Sequence, residues 1–583
     1  MPCRPTDACV GGGASPAHAH GPPPLVLGEM SSSINDPLIG VINEGTNTAT
    51  FVVFSATTGE EVCHHGVKIT QLVPREGWLE QDPAELLAAV REGMAVVGEE
   101  LRRRGRDPRR DIAAIGVTNQ RETTVLWDAA TGEPLYNAIV WSDIRTDSTV
   151  DHVLARVPDN DKNALMELSG LPISPYFSAL KIRWLIDNVY AVQKAIRRKT
   201  CLFGTVDSWL IWNLTGGKNG GVHVTDVTNA SRTLLMNITT LQWDPVLCRY
   251  LQVPQHILPE IRSSSEIYGY VQEEPFEGVP ISGILGNQQS SLVGQQCLKE
   301  GQAKNTYRAG CFLIYNTGYN RVLSSHGLVT TVAYKMGKNA RPVYALEGSI
   351  AVAGAAVKWL KNNLNLLNHV SELEDIASQV QTTGDVYFVP AFSGLYAPYW
   401  RKDARGILCG LTQFTTKGHI IRACLEAVCF QTRDILEAMN KDCGIPLEKL
   451  QVDGKMTKNN LLMQLQADIC GIPVERSNVS DVTSLGVAMV AGQAEGVNVW
   501  KAHWKESTPQ VPSEIFEPKT TLEERDLRYT KWKMAVQRSL GWATTKKSVA
   551  MTDERFRLLA SIPASWFLIV SFGMLVLSKE LVS

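Results

Sequence analysis

The feature that most constrains this chain is a motif that occurs twice. Asn43-Glu44-Gly45-Thr46-Asn47-Thr48-Ala49-Thr50 runs into Phe51-Val52-Val53-Phe54, and Asn305-Thr306-Tyr307-Arg308-Ala309-Gly310 runs into Cys311-Phe312-Leu313-Ile314-Tyr315. Each sets small polar residues at a strand–turn–strand corner, where free backbone N–H groups can hold phosphate. The copies start about 260 residues apart, which predicts a duplicated core with a cleft between its halves. Ahead of the second copy, a short apolar run ends in the polar step Gly286-Asn287-Gln288. A helix-like segment follows through Leu292, Val293, Gln296 and Cys297. Asp453, in the strand-ending Val452-Asp453-Gly454, reads as structural rather than catalytic.

At 583 residues the chain exceeds what one core can bury, so two large domains are expected. A net charge of -2 argues against a nucleic-acid surface. Arg102-Arg103-Arg104 and Arg109-Arg110 follow an amphipathic helix and read as its solvated end. The twelve cysteines show neither a C-x-x-C pair nor zinc spacing, which fits free thiols in a reducing compartment.

The termini differ from the middle. Residues 1–37 are rich in Gly, Pro, Ala and Ser without periodicity, and are expected to be disordered. Leu558 to Ser578 carries no charge and is long enough for a bilayer span, which predicts a C-terminal tail anchor. Between the ends, strands such as Ile39–Ile42, Ile112–Thr118 and Leu450–Val452 interleave with helices such as Pro83–Arg104 and Ile420–Met439. That alternation predicts α/β layers. The expected domains are 38–285 and 286–550, with 558–578 as the membrane segment.

Several long motifs resemble those of glycerol kinases: Asn119-Gln120-Arg121-Glu122-Thr123-Thr124, Asn137–Trp141, Gly204–Trp209, Gly301–Tyr307, His326–Lys335, Phe388–Trp400 and Gly410–Thr415. The resemblance runs from about Leu38 to Trp542. It implies two RNase H-like domains of the actin-like ATPase superfamily flanking a central cleft. It also implies transfer of the ATP γ-phosphoryl to glycerol, with Mg²⁺, in a homo-oligomer. The apolar tail is similar to that of animal members on the cytoplasmic face of the mitochondrial outer membrane, with the cytosol as the alternative location.

By the same resemblance Arg121, Glu122, Trp141, Tyr176, Asn287, Gln288 and Phe312 would hold glycerol or a similar small polyol. A guanidinium donates and a carboxylate accepts, so both hydrogen-bonding senses of a hydroxyl are met. Thr46, Asn47, Thr48, Thr50, Ala309, Gly354, Lys358, Lys455 and Asn459 would surround the nucleotide, and Asn43 would lie near the metal.

The chain departs from the family's pattern at the reacting centre. Asn287 and Asn43 stand where the resemblance places aspartates, Glu44 where it places glutamine, and Thr50 where it places arginine. Arg308 and Ala309 interrupt a glycine turn, and Lys455 replaces a glycine. An amide cannot act as a general base, and losing that help costs about 10² to 10⁴ in rate. Strongly impaired or absent kinase activity is therefore expected. The alternatives are an active glycerol kinase in which Arg308 or Lys455 compensates, and a non-catalytic scaffold on the mitochondrial surface.

Overall fold

The structure is a computed structural model that describes residues 36–500 and 513–543. The expected disordered segment falls outside the described residues up to 35, and the candidate membrane segment 558–578 falls outside them entirely. Among the described residues no helix is long and apolar enough to cross a membrane.

Two sheets organise the chain. The first contains β1 (Leu38–Glu44), β2 (Thr48–Ser55), β3 (Glu61–Lys68), β4 (Ile112–Asn119), β5 (Ser265–Tyr270) and β6 (Pro280–Gly286), in the order β5-β6-β4-β1-β2-β3. The second contains β7 (Ala303–Tyr307), β8 (Cys311–Gly318), β9 (Val329–Tyr334), β10 (Val343–Ile350), β11 (Leu450–Asp453), β12 (Val474–Ser477) and β13 (Ser513–Phe516). Its order is β9-β10-β8-β7-β11-β12-β13.

The pairing pattern repeats between them. β1 lies antiparallel to β2 and parallel to β4, as β7 lies antiparallel to β8 and parallel to β11. Parallel β6 and β12 come next, each followed by an antiparallel edge strand. The second sheet adds β9 beyond β10. The repeated motif thus marks a true duplication, with each copy forming the central hairpin of its sheet.

Helices cover the sheets: α1 (Pro83–Arg103), α2 (Asn287–Gly294), α3 (Gly354–Asn362), α4 (Lys417–Cys443), α5 (Asn460–Cys470) and α6 (Val482–Gln493). Strands buried on both faces read as unbroken apolar runs, as in Leu38-Ile39-Gly40-Val41-Ile42. Helix α6 is buried from Val482 to Gly492. Its Val487 and Val490 join Ile39, Val41 and Leu285 of the first sheet and Ile314 and Ala345 of the second in one apolar cluster. The two repeats therefore share a core at the base of the cleft.

The helix expected around Leu292–Cys297 lies earlier. Helix α2 begins at Asn287 and ends at Gly294, and Gln296 turns left-handed with φ 57°. Asn287 consequently occupies the first turn of a helix whose Gln288, Gln289, Ser290 and Ser291 are all buried.

Candidate functional site

The residues expected to form a polyol cradle lie at the carboxyl end of β4, where ligands of open α/β sheets usually bind. Arg121 and Glu122 follow that strand after one intervening residue, Gln120. Arg121 makes a two-pronged contact with Glu347 of β10: Nη1 donates to Oε2 at 2.6 Å and Nη2 to Oε1 at 2.8 Å. Arg232 donates through Nε to Glu122 Oε1 at 2.6 Å and through Nη2 to Glu347 Oε1 at 3.2 Å. Arg121 Nε, 4.0 Å from Glu122 Oε1, closes a ring of alternating charges. No member is more than 3% exposed.

The electrostatics follow from that ring. Burial raises the Glu347 carboxyl, but Arg121 and Arg232 overcome it and hold Glu347 down to about 2. Burial opposes the Arg121 charge, yet Glu347 and Glu122 hold its proton more firmly than usual. The Arg232 Nη1 atom has no hydrogen-bond partner. Glu122 adopts φ 60°, a left-handed conformation that costs a non-glycine residue about 1–2 kcal/mol.

An aromatic wall stands beside the ring. Trp141 meets Tyr176 and Phe312 edge-on, with ring centroids 5.9 and 5.7 Å apart. The Arg121 guanidinium lies 5.9 Å from the Phe312 centroid. Burial keeps the Tyr176 hydroxyl protonated well beyond neutral pH, so it can donate. Trp141 Nε1 donates to Thr46 Oγ1 at 3.0 Å, tying this wall to the Gly45–Thr48 turn.

Gly286 fixes the distance between the cradle and Asn287. A Cβ at Gly286 would fall 2.7 Å from Arg121 Cδ, so the Arg121 stem occupies the space that any side chain would need. Helix α2 therefore starts against Arg121, and Arg121 Nη1 donates to Gln289 Oε1 at 3.1 Å. Lys304 of β7 is fully buried nearby, donating to Gln288 Oε1 at 2.5 Å and Thr306 Oγ1 at 2.7 Å. Burial lowers its ammonium to about 8, against the opposing pull of Asp453. Asp453 itself accepts from Ser291, Thr306 and Gln295, in keeping with a structural role.

On the first hairpin the Asn43 amide is already engaged. Its Nδ2 donates to Asp481 Oδ2 at 3.1 Å and Ser484 Oγ at 2.9 Å, at the start of α6. Asp481 also accepts from the Ser484 backbone and hydroxyl. The Asn43 amide oxygen can still face a hard cation, but it brings no charge, so position 43 offers Mg²⁺ a weaker oxygen than a carboxylate would.

Glu44, one residue on, does not replace the missing charge. It is fully buried, receives Gln120 Nε2 at 3.1 Å on Oε2, and has no partner for Oε1. Burial raises its carboxyl from 4.5 to about 8, only partly offset by Gln120. Between those values the folded chain holds a proton that the unfolded chain releases. Glu44 therefore stabilises the fold below pH 4.5, and this contribution is lost as pH rises to about 8. Denaturant unfolding from pH 5 to 9 should show Glu44→Gln gaining on the parent as pH rises, by at most about 1.4 kcal/mol per pH unit. Parallel curves for parent and variant would refute a proton on Glu44.

The remaining candidate residues gather on three segments. Thr46, Asn47, Thr48 and Thr50 sit on the β1–β2 hairpin, closed by Gly45 N donating to Thr48 O at 3.0 Å. Ala309 O accepts from the backbones of Ala353 and Ala355, joining the β7–β8 turn to the start of α3 at Gly354. Lys358 is exposed one turn along α3, and Lys455 is exposed after β11. Asn459 caps α5, accepting from Leu462 N at 2.7 Å.

Glu347, Arg232, Gln289 and Lys304 escaped the sequence reading. Two of them carried a usable signal, since Glu347 and Lys304 are single charges inside otherwise uncharged strands.

The comparisons agree with this architecture. Residues 38–294 match the N-terminal domain of the FGGY family of carbohydrate kinases, and residues 304–495 match its C-terminal domain. The chain is similar to a probable glycerol kinase of Dictyostelium discoideum, 47% identical over 546 residues, covering 88% of this chain and 99% of the relative. It is 48% identical to a glycerol kinase of Brucella anthropi over 508 residues, covering 86% and 99%. The crystal structure of Plasmodium falciparum glycerol kinase with ADP superposes with a TM-score of 0.77 at 39% identity, covering 87% of this chain and 98% of that one. A duplicated α/β core, matched over both halves and across nearly the whole length of these relatives, shows that the chain belongs to the FGGY family of carbohydrate kinases.

Proposed function

We propose that this chain binds glycerol or a closely similar small polyol and transfers the ATP γ-phosphoryl to it, giving sn-glycerol 3-phosphate and ADP, at a strongly reduced rate. The observation that carries this reading is the intact Arg121–Glu347–Arg232–Glu122 ring placed against an amide, Asn287. The relatives' names and the ADP in the Plasmodium enzyme support the choice of substrates.

In this reading Arg121 donates to a polyol hydroxyl and Glu122 accepts from one, while Trp141 and Phe312 cover the carbon chain. Tyr176 donates a further hydrogen bond. Asn287 can orient the attacking hydroxyl but cannot take its proton, so that proton leaves to water. Positioning and charge neutralisation supply most of phosphoryl-transfer catalysis, so a correctly held but unactivated hydroxyl retains slow turnover.

Calorimetric titration of the full chain with glycerol, run beside a radiometric phosphorylation assay, tests both halves. Saturable glycerol binding is expected, with turnover about 10² to 10⁴ below an ordinary glycerol kinase. Absence of glycerol binding would remove the polyol reading. Turnover within tenfold of an ordinary enzyme would remove the impairment.

A further inference from the structure

We infer that Lys304 is a positioning residue of the polyol cradle: it holds Gln288 by the amide oxygen and so leaves the amide nitrogen to donate to a polyol hydroxyl. The inference rests on the polyol reading above and deepens it, by naming the residue that sets the direction of one hydrogen bond.

Lys304 is an unusual residue for its strand. β7 is buried along its whole length, and Lys304 has no exposed surface. Among the described residues it forms no ion pair. Its ammonium donates instead to two neutral oxygens, Gln288 Oε1 at 2.5 Å and Thr306 Oγ1 at 2.7 Å. Burial lowers that ammonium to about 8 and Arg121 adds to the shift, while Asp453 and Glu347 oppose it, so it stays charged at neutral pH.

The direction of the Gln288 amide follows. An ammonium has three donors and no acceptor, so only the amide oxygen can face it. Gln288 Nε2 is thereby turned away from Lys304, and among the described residues it has no hydrogen-bond partner. Gln288 is nevertheless only 4% exposed. A buried amide with an idle donor is costly unless a ligand fills it. The residues on either side are Asn287 and Gln289, and Gln289 accepts from Arg121.

Lys304 is itself held in place. Thr306 Oγ1, which accepts from it, donates to Asp453 Oδ2 at 3.0 Å, and Ser291 donates to that same oxygen at 2.6 Å. The hydrogen bonds run from Gln288 through β7 and β11 and return to α2 at Ser291, on the same face as Gln288. Glu122 is supported in a similar way. Arg232 takes its Oε1, and Oε2 has no hydrogen-bond partner among the described residues. One buried cation at each side chain therefore leaves a free acceptor on Glu122 and a free donor on Gln288, the two senses that a hydroxyl meets.

Removing the ammonium should reverse the amide. In Lys304→Met the groups left on β7 and β11 are the Thr306 hydroxyl and the Asp453 carboxylate, which accept and so draw Nε2 inward. Oε1 then faces out, and the cradle offers two acceptors to a hydroxyl that carries one hydrogen.

The test is calorimetric titration of the full chain with glycerol, 1,2-propanediol and 1,3-propanediol, in the parent, Lys304→Met, Gln288→Leu and the double variant. Each single variant should bind glycerol about tenfold more weakly, the effect of one lost hydrogen bond. The double variant should be no weaker than either, because both changes remove the same donor. The propanediol that lacks the hydroxyl at this point should bind the parent and Lys304→Met equally well. An additive loss of about a hundredfold in the double variant overturns the inference. Equal weakening of all three ligands in Lys304→Met also overturns it, because the lysine would then be structural only. Should Lys304→Met unfold, Gln288→Glu reads the same point with the lysine in place. Lys304 then holds one carboxylate oxygen, the fold is kept, and glycerol binding falls because the outward atom can no longer donate. Undiminished glycerol binding by Gln288→Glu overturns the inference. A parent that binds no glycerol strikes the polyol reading and this inference with it, whereas a parent that binds glycerol with an additive cycle strikes the inference alone.

Discussion

An Arg121→Ala variant is expected to lose about 3–5 kcal/mol of folding stability, the usual cost of stranding a charge inside a protein. It should also lose measurable affinity for glycerol. Removing Arg121 leaves Glu347 fully buried with Arg232 as its remaining ion-pair contact, at 3.2 Å and through one nitrogen instead of three. Glu347 is held down to about 2 in the parent, with Arg121 the largest cause opposing burial, so its carboxyl should move upward in the variant. The loss of Gln289's partner adds to the damage at the start of α2.

The diagnostic control is the double variant Arg121→Met with Glu347→Leu. Replacing both members by apolar groups removes the stranded charge and should recover much of the stability, because buried ion pairs contribute little beyond their own desolvation cost. Glycerol affinity should not recover with it, since no apolar pair can donate to a hydroxyl. Denaturant midpoints measure the first effect and calorimetry the second. If Arg121→Ala unfolds within 1 kcal/mol of the parent, the ring is not the support described. If the double variant regains glycerol binding, Arg121 does not touch the polyol.

The same residues show how far the sequence could be read. The hairpins at Asn43–Phe54 and Asn305–Tyr315 were legible because small polar residues flanked by β-branched and aromatic runs specify a turn between strands locally. Arg121 and Glu122 were legible only through resemblance. Their partners were not, since Arg232 and Glu347 lie 110 and 226 residues from them in sequence and no periodicity connects such distances. Lys304 sits in Ala303-Lys304-Asn305-Thr306-Tyr307, which looks like a strand with one wet face, yet every one of these residues is buried. The sheet is covered on both sides, so alternation carries no information there.

Helix α2 was misplaced for a related reason. Asn287-Gln288-Gln289-Ser290-Ser291 reads as a polar loop, and the apolar residues that signal a helix begin only at Leu292. In the fold those polar side chains are the contacts: Gln289 receives Arg121, Ser290 donates to Thr483 O at 2.6 Å, and Ser291 donates to Asp453 at 2.6 Å. A helix that packs through hydrogen bonds between two halves of a cleft has no apolar stripe to reveal it. The first residue of that helix is Asn287.

That first residue is the site of the other large effect. Asn287→Asp is expected to raise glycerol 3-phosphate formation by about 10² to 10⁴, the range attributed to a positioned general base. The position suits a carboxylate without rebuilding: it opens an eight-residue helix, where N–H dipoles favour negative charge, and it is only half-buried. The helix N-terminus would favour the ionised form of such an aspartate, ready to accept a proton. Asn43→Asp, by contrast, should do little alone. It would set a carboxylate about 3 Å from Asp481 in place of a donated hydrogen bond, and like charges that close are mutually destabilising. Adding Mg²⁺ should relieve that repulsion, so the melting temperature of the Asn43→Asp chain should rise with Mg²⁺ while that of the parent stays flat. A fully restored enzyme would then need both aspartates. Unchanged turnover in Asn287→Asp, measured on protein that still binds glycerol, would mean that proton removal is not what this chain lacks.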